Sequence, residues 1–191
     1  KDNDKYTADL AHEKTVKILV GAAASKNKGA SNQVGEGHGD FMLYDSNGKN
    51  NLVDYSQVFT DIVLKYNGFS LLAEYANASA DNLTMQFIDE AATTILAPQQ
   101  ISQYLILGDS YTLQAGYVTD KGLSFDVRYE NTKPEFQKYS TSLLPDTNSY
   151  TIGATKYFNN NNIKLQTSFT RINYTGGANS SIGEVVFQIG F

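Results

Sequence analysis

The spacing of turn signals constrains this chain more than any other feature. Stretches of alternating residues are joined by very short polar turns at one end and by long polar segments at the other. Asn67-Gly68 is a two-residue signal for a type I′ hairpin turn, whose central residues both need positive φ. Val118 to Gly122 and Asn159 to Asn162 are the other short links. The pattern predicts eight strands, at 15–26, 56–66, 69–79, 104–117, 123–131, 148–158, 163–174 and 183–191, running as antiparallel hairpins. The opposite links cover 27–55, 80–103, 132–147 and 175–182. Pro98, Pro134 and Pro145 all fall in those long links, where none removes a ladder donor. Met85 to Leu96 reads as a short helix within one link. Lys5 to Ala11 reads as a candidate ninth strand, with Tyr6, Ala8 and Leu10 on one face.

Side chains alternate in character along each predicted strand, as a sheet with two different faces demands. Around Asn67-Gly68 one face carries Val58, Thr60, Ile62, Leu64, Tyr66, Phe69, Leu71, Ala73 and Tyr75. The other carries Phe59, Asp61, Val63, Lys65, Ser70, Leu72 and Glu74. The next hairpin sets Tyr111, Leu113, Ala115, Tyr117, Phe125, Val127 and Tyr129 against Thr112, Gln114, Ser124, Asp126, Arg128 and Glu130. The third sets Tyr150, Ile152, Ala154, Phe158, Leu165 and Phe169 against Thr151, Thr155, Lys164, Gln166 and Ser168. Lys156 and Arg171 interrupt the apolar face, and Lys156 lies near a turn where a long side chain snorkels.

Composition removes several classes. The 191 residues contain no cysteine, so disulfides and thiolate metal sites are excluded. A net charge of −5 argues against nucleic acid as a partner. No run of eighteen apolar residues exists, so a transmembrane helix is excluded. A transmembrane barrel is not, because only every second residue of its strands must be apolar.

Two features favour lipid on the apolar face over a buried soluble core. Aromatics sit at strand ends on that face (Tyr66, Phe69, Tyr117, Phe158), where the girdles of a membrane barrel belong. The polar faces are also rich in Gln, Thr, Ser, Lys and carboxylates, which suits a wet lumen. The last strand, with Val185, Phe187, Ile189 and Phe191 on one face, resembles the C-terminal assembly signal of outer-membrane barrels. The expected fold is an all-β, antiparallel transmembrane β-barrel with 8–9 strands in this chain. Residues 1–191 form a single barrel domain or half of one. The alternative is a soluble eight-stranded barrel that buries its apolar face.

The segment KYNGFSLLAEYANASA, Lys65 to Ala80, resembles the phosphate-selective porin O and P family, especially its relatives in Bacteroidota. So do TADLAHEKTVKILVGAAASKNKGA (Thr7 to Ala30), DSYTLQAGYVTDKGLSFDVRYENTKP (Asp109 to Pro134) and SYTIGATKYFNNNNIKLQTSFTRINYT (Ser149 to Thr175). The resemblance covers the chain from about Thr7 to Phe191 and falls on the C-terminal half of the family. It implies that the chain is part of a 16-stranded, often trimeric outer-membrane barrel. Its phosphate-selective members carry an arginine-rich constriction. This chain has only Arg128 and Arg171, which puts phosphate selectivity in doubt.

Candidate pore-lining or selectivity residues follow from the polar face. A two-residue turn at Asn67-Gly68 places Asp61 directly opposite Glu74, an unfavourable like-charge pair in a sheet. The pair either holds a cation or is screened by water and nearby bases. Asp126, Arg128 and Glu130 share that face, with Arg128 near mid-depth. The arginine is either part of a charged constriction or one partner in a weak wall salt bridge. Lys17, Lys65 and Lys164 lie within two residues of short turns, as a basic collar or simply a solvated rim. Residues 27–55 are long enough to fold inward as a constriction loop.

Catalysis has little support. His12 and His38 are the only histidines, and Gly35-Glu36-Gly37-His38-Gly39-Asp40 holds its His–Asp pair in a glycine-rich loop. Asp45-Ser46-Asn47-Gly48 lacks the alternating acids and terminal Glu of a calcium loop and reads as a turn. The expected function is passive diffusion of small hydrophilic solutes or ions, without enzyme activity or cofactor, in the outer membrane of a Gram-negative bacterium. Expected partners are outer-membrane lipid and lipopolysaccharide, the solutes themselves, and a homotrimer or larger assembly. The alternative is a structural or partner-binding barrel subunit of a larger outer-membrane complex.

Overall fold

Residues 7–31, 41–136, 142–159 and 162–190 are described by a computed structural model. Eight antiparallel strands form one sheet: β1 (Lys17–Ala30), β2 (Val53–Tyr66), β3 (Phe69–Asp81), β6 (Gly108–Val118), β7 (Leu123–Pro134), β8 (Thr147–Asn159), β9 (Ile163–Tyr174) and β10 (Ser180–Ile189). Their spatial order is their chain order, so the sheet is a continuous meander. Strands β1 and β10 are the two edges and are not paired with each other, so the sheet is open. Among the described residues no further strand pairs with the outer side of either edge.

The hairpin turns fix the register. Asn67 and Gly68 take φ of 49° and 88°, the left-handed values of a type I′ turn. The turn sets Tyr66 opposite Phe69 and, six pairs on, Thr60 opposite Tyr75. Because side chains alternate with period two, this one turn decides which residues of β2 and β3 share a face.

Three sequence expectations need correction. Met85 to Leu96 is not a helix. It forms a two-stranded hairpin, β4 (Gln86–Phe87) with β5 (Ile95–Leu96). Positive φ at Met85 and Ala92 is incompatible with a helix. The Asp89 carboxylate instead folds the turn, accepting the backbone N–H groups of Thr93 at 3.0 Å and Thr94 at 2.8 Å. Those bonds, from Thr93 first, hold its pKa below the usual carboxylate value. Second, the strand read from 104 starts at Gly108, because a 3-10 helix at Pro98–Gln103 precedes it with proline in its first turn. Third, Thr7 to Ala11 is not a strand, and Lys5 and Tyr6 lie outside the described residues.

The compact core sits at the long-loop end, against the polar face. Phe41, Leu43, Leu96, Ile101, Leu105 and Leu107 from the loops pack on Ala30, Val53, Tyr55, Ala78 and Ala80 of β1–β3. The Tyr55 hydroxyl closes the cluster by donating to the Ile106 carbonyl at 2.8 Å. Thus the long loops pack their apolar residues over one end of that face. Leu43 is 1% exposed, so Leu43→Ala is expected to cost the cluster about 2–5 kcal/mol. Limited proteolysis checks this: cleavage within 41–52 and 82–107 should accelerate while the strands stay protected. Unchanged loop cleavage would contradict the packing.

Candidate functional site

The ladder sorts the side chains into two surfaces. On the polar face a hollow of about 600 Å³ is lined from β3 and β6–β10 by residues including Gln114, Asp126, Arg128, Thr151, Lys164 and Gln166; a shallower apolar one of about 650 Å³, lined by residues including Phe69, Tyr117, Phe125 and Ile152, lies on the other face. Thr7, Ala8 and Leu10 close part of the polar-face hollow from the short-turn end.

Three cross-strand rows organise the charges of this face. One runs Lys17, Lys65, Ser70, Gly116, Asp126, Gly153, Ser168, Glu184. The next runs Leu19, Val63, Leu72, Gln114, Arg128, Thr151, Thr170, Ile182. The third runs Gly21, Asp61, Glu74, Thr112, Glu130, Ser149. Every strand residue named from sequence as pore-lining therefore lies on this face. Asp61, Glu74 and Glu130 share a single row. Lys17 and Lys65 face each other at the short-turn end, whereas Lys164 lies across the sheet on β9, paired with Tyr157.

The Asp61–Glu74 opposition is present and has a structural remedy. Asp61 leans over Gly21 on β1: a Cβ added to Gly21 would collide with its carboxylate. The absent side chain lets Asp61 turn away from Glu74. Asp126 does the same over Gly116 while accepting the Ser124 hydroxyl at 2.9 Å. Aspartate opposite glycine is a sequence signal, but only once the register is known.

Arg128 is engaged by the wall. Its Nε and Nη2 donate to Gln114 Oε1 at 3.0 and 2.8 Å, and Nη1 lies 3.7 Å from Glu130 Oε1. With both groups of this ion pair over a third exposed, it contributes little to stability. Its partner is Glu130, not Asp126. Lys156, on the apolar face, reaches the Lys121 carbonyl at 2.6 Å, a snorkelling contact with the turn.

The apolar face carries two aromatic belts. Near the short turns, Tyr66 faces Phe69, Phe69 faces Tyr117, and Tyr117 faces Phe125. Phe158 lies at the same end of β8, and Phe191 is outside the described residues. The second belt was not recognised from sequence, though each member had been placed on this face. It comprises Tyr75 and Tyr111, cross-strand partners, then Tyr129 and Tyr150 with ring centroids 5.7 and 5.1 Å apart along the series Tyr111–Tyr129–Tyr150. Its hydroxyls turn to polar partners nearer the long loops: Tyr75 donates to Asp109 at 2.6 Å and Tyr129 to Asn148 at 2.7 Å. Between the belts lie exposed Leu113, Val127, Ile152 and Phe169.

Elsewhere, Asp45 is a turn residue. Its carboxylate accepts the Lys49 and Asn47 backbone N–H groups, which lower its pKa. Among the described residues no group of three or more His, Cys, Asp or Glu is placed to hold a metal. His38 and Asp40 lie outside the described residues.

Comparison with known proteins gives no match: no family model, curated protein or solved structure matches the chain.

Gly21→Ala should push Asp61 back toward Glu74 and cost about 1–3 kcal/mol by overpacking and like-charge contact. Equilibrium urea unfolding should show that cost shrinking in a Glu74→Gln background, and an equal cost in both backgrounds would refute the arrangement.

Proposed function

We propose that this sheet is part of the wall of an outer-membrane β-barrel whose polar face lines a water-filled path for small hydrophilic solutes or ions. The observation that carries this reading is the pairing of a charged, hollow face with an apolar face banded by two aromatic belts. A soluble barrel has no use for exposed Val127, Ile152 and Phe169 between rows of exposed tyrosine and phenylalanine. A lipid bilayer has: belts of this kind sit at its two interfaces. The belts are six residues apart on β3 (Phe69 to Tyr75) and β6 (Tyr111 to Tyr117), four on β7 (Phe125 to Tyr129) and eight on β8 (Tyr150 to Phe158), about 13 to 26 Å of strand at ~3.3 Å per residue. Only the β8 spacing reaches the ~25 Å apolar band of such barrels, so the reading rests on the two-faced character of the sheet and not on belt separation.

In this reading β1 and β10 are met by further strands, completing a larger barrel than eight strands form alone. The resemblance of Lys65 to Ala80 and the flanking segments to the phosphate-selective porin O and P family agrees with a 16-stranded barrel. Selectivity is another matter. The row Asp61, Glu74 and Glu130 presents three carboxylates at one level, whereas Arg128 is held by Gln114 and Glu130. A wall of this kind favours cations over phosphate. The packing of Phe41 and Leu43 on the polar face supports a reading in which the loop between β1 and β2 narrows the path.

Planar-bilayer recording of the native full-length protein tests the reading. Stepwise currents are expected, with a reversal potential of cation-preferring sign in a potassium chloride gradient. Glu74→Gln should move that potential toward zero. Absence of current, with retention in a stable complex after detergent extraction, would replace this reading with that of a structural barrel subunit.

A further inference from the structure

The segment before β1 is not a free tail, and the polar-face reading leaves it unexplained. Asp9 is 1% exposed, yet its carboxylate is fully engaged. One oxygen accepts the Gly68 N–H at 2.7 Å, and both accept the Glu13 N–H at 3.1 and 3.2 Å. The Glu13 carbonyl in turn accepts the Asn67 N–H at 2.8 Å, and Lys14 Nζ donates to Asn67 Oδ1 at 3.3 Å. The contact extends to the next turn. Val118 donates its N–H to the Gly68 carbonyl at 2.8 Å, and His12 Nδ1 lies 3.6 Å from Asp120 Oδ1. Gly68 has no room for a side chain, because the His12 ring and the Val118 carbonyl occupy the space.

One buried carboxylate therefore latches 7–14 to the Asn67-Gly68 turn, and His12 reaches the neighbouring turn at Asp120. The latch holds Thr7, Ala8 and Leu10 at the short-turn end of the hollow, beside Ser70, Tyr157 and Lys164 in its lining.

We propose that Thr7–Lys14 is a constriction at the short-turn mouth of the path, held in place by Asp9 and specifying the narrowest section at that end. This rests on the permeation reading above. Long loops narrow the opposite end, so a solute passes one constriction at each mouth.

The chain has no cysteine, so single-cysteine variants of the full-length protein are clean probes. In planar bilayers, Ala8→Cys should lose current when a charged, water-soluble methanethiosulfonate reagent is added from the short-turn side. Asp9→Ala should raise unitary conductance about twofold by releasing the segment. In the Asp9→Ala background, modification at position 8 should block less. Wild-type protein that conducts, combined with an unblocked Ala8→Cys channel, overturns the constriction while leaving the permeation reading intact. Wild-type protein that never conducts overturns the permeation reading first, and this proposal with it. Should Asp9→Ala fail to fold, the block at Ala8→Cys decides alone.

Discussion

Everything in this molecule depends on the antiparallel ladder and the register its turns impose. A side chain's face is decided by the parity of its distance from a turn, so a slip of one residue would exchange the two surfaces. The Asn67-Gly68 turn sets that parity for β2 and β3, and pairing carries it outward to β1 and through β6 to β10. The charged rows, the aromatic belts and the glycines beneath Asp61 and Asp126 are all consequences of that register. The ladder also sets the demand that the sheet cannot meet alone, since among the described residues no further strand pairs with the outer side of its first or last strand.

The two ends of the polar face are closed by different physics. At the long-loop end the closure is apolar: leucines, isoleucine and phenylalanine from two loops gather on alanine, valine and tyrosine of β1–β3. At the short-turn end it is polar: a single buried aspartate satisfies backbone donors that tight turns leave exposed. An apolar cluster tolerates rearrangement in proportion to lost area. A buried carboxylate does not, because removing it strands its donors.

The sequence made the strands and their faces legible because alternation is a local signal that needs no knowledge of neighbours. Strand 163–174 was read to the residue, and the limits of most others differ from the observed ones by only a few residues. The Asp61–Glu74 opposition followed from counting away from one turn. Where reading failed, non-local or competing local bonds decided. Met85 to Leu96 has helix-compatible residues, but Asp89 captured the backbone N–H groups of Thr93 and Thr94 and bent the segment into a hairpin. The Tyr75–Tyr111–Tyr129–Tyr150 belt stayed hidden because its members lie on four strands and meet only after pairing. Asp9 carried no signal at all: a lone aspartate in a polar stretch looks like solvent-exposed chain until the turn it holds is in place.

The central claim is that one face of this sheet meets lipid while the other meets water. Cysteine accessibility along β7 in lipid vesicles tests it most directly, with single cysteines placed in turn at Phe125, Asp126, Val127, Arg128 and Tyr129. The account predicts alternation: a water-soluble maleimide labels positions 126 and 128, and a membrane-restricted reagent labels 125, 127 and 129. Uniform aqueous labelling of both sets, or protein that leaves the vesicles without detergent, would contradict it.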